Sequence, residues 1–177
     1  MTSTTLLDVN VLIALMHEIH VHHAVAQRWM SREPKRRWAS CTVTQLAFIR
    51  LGAQPLIGGD GASPSRAIGL LQAAVEHPRH EYWADAPSPL TVRTLLAPGL
   101  VGHRQVTDSY LLGLAVARRA RMATFDRGAI AFAEAQGLGK HVEWVGLPDS
   151  LQEPVVTYAV RRKRTRHVAR NRSPTHS

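Results

Sequence analysis

One cysteine in 177 residues excludes an internal disulfide framework and leaves no thiolate cluster for a structural zinc. Cys41 reads instead as a small apolar core residue, and its isolation fits a reducing, cytoplasmic location. Long apolar runs are lacking too. The one around Val9 to Met16 falls well short of the roughly 18 residues of a membrane-crossing helix, and residues 1–5 hold no basic segment of a secretory leader. A soluble, unsecreted chain without a membrane partner is expected. Acids are scarce, 13 against 22 Lys and Arg, but the imbalance is local. Seven of the bases fall between Arg161 and Arg172 with no acid among them, leaving fifteen bases against thirteen acids elsewhere. Residues 151–177 therefore read as a basic, flexible tail suited to a polyanion, although solvated disorder alone accounts for the same composition.

What is present suffices for one core: 45% of the residues are hydrophobic, and residues 1–150 read as a single domain. TTLLDV followed by NVLIALM gives a strand that passes into a helix, with Asp8 at the strand's carboxyl end. Residues 22–31 form a second helix, RWASC a short strand, and TVTQLAFIRLGA from Thr42 a helix ending near Pro55. LIGGDGASPS reads as a loop. A helix over SRAIGLLQAAVEHP, a strand at EYWA and a helix over SPLTVRTLLA, with Ser88 as cap and Pro89 in its first turn, come next. QVTDSYLLGLAVARRA is the longest helix, with Asp108 in its first turn and Arg118 and Arg119 in its last. RMATFD repeats the strand-to-acid pattern, AIAFAEAQG is a helix capped by Gly137, and VEWV is a final strand. Alternating strands and helices imply a parallel sheet covered on both faces.

In such sheets ligands bind beyond the carboxyl ends of the strands, where Asp8 and Asp126 both emerge. Hard cations such as Mg²⁺ and Mn²⁺ favour oxygen ligands, and converging aspartates meet that requirement. Each acid also has a structural reading: Asp8 as a helix cap, Asp108 as a complement to a helix dipole, Asp126 as part of an Asp-Arg-Gly turn. His17, His20, His22 and His23 lack the i, i+4 spacing of a helical zinc pair.

Four stretches, LLDVNVLIAL, TVTQLAFIRL, GHRQVTDSYLLGLA and MATFDRG, resemble in order and spacing the signatures of PIN-domain ribonucleases of the VapC toxin type, over about residues 4–146. The resemblance implies a three-layer α/β/α sandwich with a central parallel sheet. It also implies Mg²⁺- or Mn²⁺-dependent endoribonuclease activity, a homodimer and a cognate VapB-like antitoxin. Asp8, Asp108 and Asp126 match the first, third and fourth acids of the family. At the second, the family's Glu is replaced by Gln45, which can bond a water but carries no charge. Asn10 and Thr124 match polar positions that orient the acids, and Arg50, Arg104 and Arg127 are candidates for drawing the RNA backbone. Two rivals follow. Gln45 is compatible with a PIN-fold protein that binds RNA or an antitoxin without cutting. Haloacid-dehalogenase-like phosphatases also place an acid after the first strand, but as D-x-D, and Asp8-Val9-Asn10 lacks the second acid.

Overall fold

The computed structural model describes residues 4–96, 99–100 and 102–146, and of Leu96 and Arg104 the backbone only. The basic segment 151–177 lies outside them. Within the described residues the chain runs β1 (Thr5–Leu7), α1 (Val9–Met16), α2 (His23–Ser31), β2 (Trp38–Cys41), α3 (Thr42–Gly52), α4 (Pro55–Gly58), α5 (Pro64–Val75) and β3 (His80–Trp83). It continues with α6 (Arg93–Leu96), α7 (Arg104–Ala117), β4 (Arg121–Thr124), α8 (Arg127–Ala135), a single 3₁₀ turn over Gly139–His141 and β5 (Val142–Trp144). The strands form one sheet in the order β3-β2-β1-β4-β5, and every pairing is parallel.

Strand alternation distributes the core. Leu6 is in register with Ala39 and Met122 and joins them in a cluster with Val92, Leu111, Leu114 and Ala129, on the face covered by α6, α7 and α8. Leu7, in register with Ala123, points the other way, into a cluster with Val11, Leu12, Trp29, Phe48 and Leu71 from α1, α2, α3 and α5. With both faces covered, β1 and β4 read as apolar runs rather than alternating ones. Full burial of Leu6 and Leu7 contributes about 1.5–3 kcal/mol each. α7 approaches α6 closely because Gly113 leaves room: a Cβ there would meet Thr94 Oγ1 of α6 at 2.6 Å and collide with the preceding Val92.

Four sequence expectations need correction. Leu56 to Gly58, expected in a loop, form the helical turn α4, started by Pro55 at its first position. The helix expected from Ser88 begins only at Arg93: the Ser88 hydroxyl accepts from the Leu90 amide at 3.4 Å and its carbonyl from Thr91, which closes a local turn instead. The end of that expected helix, at Ala97, lies outside the described residues. α7 starts at Arg104, so Asp108 stands past its first turn. Arg118 and Arg119 follow the helix rather than closing it, since Arg118 is the cap and Arg119 turns left-handed at φ 54°.

The amino-terminal edge of the sheet is held by charge. Arg36, 4% exposed, lies 4.0 Å from the Trp29 ring centroid and gives two hydrogen bonds to the Glu143 carboxylate, at 3.0 and 3.2 Å. Trp29 Nε1 donates to the same carboxylate at 2.6 Å. Removing the acid leaves a buried guanidinium whose only counter-ion among the described residues is the exposed Glu33. Glu143→Ala is expected to cost about 2–3 kcal/mol in urea unfolding, below the 3–5 of a fully buried pair because Glu33 compensates in part. A loss under about 0.5 kcal/mol would mean that packing on Trp29 alone holds Arg36.

Candidate active site

β1 lies between β2 and β4, and the chain leaves β1 and β4 towards opposite faces, into α1 and α8. That divergence opens a crevice at the strands' carboxyl ends, the usual binding position in parallel sheets. Asp8 follows β1 directly, and Asp126 stands two residues past the end of β4. Asp8 is buried; its amide bonds the Ala123 carbonyl at 3.0 Å, prolonging the β1–β4 ladder by one residue. Its side chain caps α1, with Oδ1 accepting from the Val9 amide at 2.6 Å, while Oδ2 accepts from the Thr124 hydroxyl at 2.8 Å. Asp8 is therefore a helix cap, as one reading of the sequence has it, and its two oxygens keep further lone pairs.

Thr124 joins three of the expected residues. Its hydroxyl donates to Asp8 and accepts from Asn10 Nδ2 at 3.2 Å and from the Asp126 amide at 3.0 Å. Asn10 Oδ1 in turn accepts from the Phe125 amide at 3.3 Å, so the turn from β4 into α8 is fixed from both sides. Asp126 caps α8, its Oδ1 accepting from the Gly128 amide at 2.6 Å, and the residue is exposed.

Asp108 reaches the same crevice from α7. Burial, reinforced by the charges of Asp8 and then Asp126, pushes its carboxyl up to about 7. Asp8 is also raised, by burial first and more weakly by Asp126, against the lowering effect of Thr124, Val9 and Asn10. The dipole reading does not account for Asp108, because that effect fades within the first helical turn, which ends before it. The three acids are therefore in electrostatic contact. Among the described residues, however, no three acidic, imidazole or thiol groups stand close enough to enclose an ion directly. A hydrated Mg²⁺-like cation, which needs only one or two carboxylates and keeps several waters, suits such a spread set; a dehydrated tetrahedral zinc does not.

The remaining candidates are placed less centrally. Gln45 Nε2 donates to Ser40 Oγ at 2.9 Å, and that hydroxyl is bonded to His80 Nε2 at 2.8 Å. The His80 contact was not legible in the sequence, because Ser40 and His80 come together only once β2 and β3 pair. Arg50 is exposed on the last turn of α3 and takes no part in the hydrogen bonds that join the acids. Arg127 lies over the Trp144 ring at 4.3 Å. Among the histidines, His22 stacks on Phe125 at 4.8 Å and His23 Nδ1 contacts the Ala14 carbonyl at 2.8 Å; the described residues hold no histidine metal cluster.

A 3-2-1-4-5 parallel sheet with helices on both faces, and acids after its two central strands and on the facing helix, defines a PIN-like α/β/α fold. No family model matches the chain. It is 42% identical over 135 residues to Ribonuclease VapC44 of Mycobacterium tuberculosis (strain ATCC 25618 / H37Rv), covering 76% of this chain and 94% of that relative. With Ribonuclease VapC39 of the same strain the identity is 38% over 136 residues, 76% and 96% of the two chains. With Ribonuclease VapC38 it is 36% over 129 residues, 73% and 89%. The chain belongs to the VapC ribonuclease family.

Asp108 makes stability depend on pH. Its folded value near 7 lies above the ordinary carboxylate value, so its contribution is favourable at low pH and is lost as pH rises from about 4 to about 7. In chelator, Asp108→Asn is expected to flatten that decline and raise the melting temperature at pH 8 by about 2–4 °C. A variant that melts lower than the parent at pH 8 would show that Asp108 is compensated by a cation of the protein.

Proposed function

We propose that this chain is the toxin of a VapBC-like toxin–antitoxin pair, an Mg²⁺- or Mn²⁺-dependent endoribonuclease whose metal is held by Asp8, Asp108 and Asp126. The observation that carries the reading is the pair of raised carboxyls at the sheet's switch point: Asp108, pushed up by burial and by the charges of Asp8 and Asp126, and Asp8, pushed up by burial and by Asp126. Such a cluster is unfavourable when empty and is relieved by a divalent cation. Bound there, Mg²⁺ or Mn²⁺ supplies Lewis acidity towards a phosphate oxygen and an activated water.

The chain's own part is positioning. Val9 and Thr124 fix both Asp8 oxygens, so the carboxylate is oriented before any ligand arrives. Asn10 and Thr124 hold the turn that presents Asp126. Water is the nucleophile, so no Ser, Cys or His triad is required, and in-line hydrolysis leaves a 5′-phosphate and a 3′-hydroxyl. The seven bases between Arg161 and Arg172 add sequence-independent affinity for RNA through counterion release. A homodimer, a VapB-like antitoxin and a cytoplasmic location complete the reading; no helix among the described residues is long and apolar enough to cross a membrane.

Asp8→Asn is expected to reduce metal-dependent RNA cleavage by more than about a hundredfold, beyond the 10- to 100-fold typical of outer-shell partners, while the protein stays folded. Cleavage at the parent's rate in Mg²⁺ would remove Asp8 from the site. The rival, an RNA- or antitoxin-binding protein that does not cut, rests on Gln45 and predicts no cleavage by the freshly purified parent. Gln45→Glu separates the roles of that position. A carboxylate within reach of the acids tightens Mn²⁺ binding, through interactions stronger than in bulk water, and raises cleavage at low metal concentration. Equal Mn²⁺ affinity by calorimetry would mean that residue 45 serves Ser40 alone.

A further inference from the structure

α7 and α8 end in the same way, and the difference between the two ends is informative. After α8, Gly137 takes the left-handed position at φ 68°, the Gly137 amide bonds the Glu134 carbonyl, and the Leu138 amide reaches back to Ala133 at 2.8 Å. After α7, Arg119 occupies the equivalent position at φ 54°, its amide bonds Val116, and the Ala120 amide reaches back to Ala115 at 2.9 Å. This is the Schellman closure, which favours glycine because a Cβ is strained there. The chain uses glycine at one such end and accepts the strain of an arginine at the other. Packing does not explain the choice, since Arg119 is exposed and makes no ion pair among the described residues.

The Arg119 side chain lines an open cleft of about 540 Å³ together with Val116, Ala120, Arg121, Lys140 and His141. Three of its side chains are permanent cations and none is an acid. His141 is fixed by a 2.8 Å contact between its Nδ1 and the Ala120 carbonyl. Arg121 meets Glu143 only at 4.0 Å, and Lys140 makes no ion pair among the described residues. Arg121 opens β4 at the amino-terminal edge of the sheet, whereas Asp126 follows that strand at the other edge. At about 3.3 Å per residue the two lie roughly 16 Å apart. The cleft is thus separate from the acids but on the same strand.

We propose that this Arg119–Arg121–Lys140–His141 cleft is an exosite for the phosphate backbone of RNA, engaging the strand several nucleotides away from the bond that is cut. The proposal rests on the ribonuclease reading for its ligand. A row of cations without acids binds phosphates irrespective of sequence, and backbone strain concentrates where a side chain is needed for contact.

The test uses the full chain in EDTA with a fluorescein-labelled 30-nucleotide poly(U), comparing Arg119→Gly, Lys140→Gln and, as a control of equal charge loss, Arg66→Gln on α5. Arg119→Gly and Lys140→Gln are each expected to weaken binding about two- to fivefold at low salt and to lower the slope of log affinity against log salt by about 0.7, the value for one single-strand phosphate contact. Arg66→Gln should change neither. Arg119→Gly should also raise the melting temperature by about 2–4 °C as its backbone strain is relieved, so stability and binding move in opposite directions. Unchanged affinity in both cleft variants, or an equal loss in Arg66→Gln, overturns the exosite. A fall in melting temperature for Arg119→Gly also overturns it, because the arginine would then be structural. Absence of cleavage by the parent in Mg²⁺ or Mn²⁺ bears on the catalytic reading alone, because these affinities are measured without turnover.

Discussion

The hydroxyl of Thr124 is the joint on which the site depends. It uses its full capacity, one donated and two accepted bonds, to tie Asp8, Asn10 and the Asp126 amide together where β1 and β4 end. A hydroxyl on the last residue of β4 can do this because parallel register places Leu7 opposite Ala123 and hence Asp8 beside Thr124. A slip of one residue would turn Thr124 to the opposite face of the sheet and leave Asp8 buried without that partner. Sheet register and site geometry are therefore one constraint.

Charge is distributed along the strands in the same sense. The carboxyl edge gathers the acids, where burial and neighbouring charge push the Asp8 and Asp108 carboxyls up, and the amino edge gathers Arg36, Arg121, Arg119 and Lys140. At the amino edge Glu143 neutralises the buried Arg36 directly. At the carboxyl edge, Asp8 is countered by hydrogen bonds from neutral groups, which orient a carboxylate without cancelling its charge. A domain that leaves charge uncompensated in a crevice loses stability there and gains a place for a cation or a phosphate.

Much of this was legible in the sequence, for identifiable reasons. Apolar runs ending in an acid located β1 and β4, and the alternation of elements gave the parallel sheet. Asn10 and Thr124, singled out as polar residues beside the acids, hydrogen-bond each other, and Thr124 also bonds Asp8. Local competition defeated the reading at Ser88, where a hydroxyl bonding its own turn displaced a helix start, and at Leu56, where Pro55 nucleated a turn inside a glycine-rich stretch. The Ser40–His80 pair that receives Gln45 depends on strand pairing between residues 40 positions apart, which no local pattern encodes. The basic cleft was illegible for a similar reason: Lys140 joins Arg119 and Arg121 only through the return of the chain into β5.

The claim that the crevice of Asp8, Asp108 and Asp126 holds a hydrated divalent cation is tested most directly by anomalous diffraction from crystals equilibrated with Mn²⁺. The account predicts a Mn²⁺ peak at about 2.0–2.2 Å from an Asp8 oxygen, with Asp108 and Asp126 engaged directly or through its waters. No peak in the crevice, or a peak confined to the histidines between α1 and α2, would contradict it.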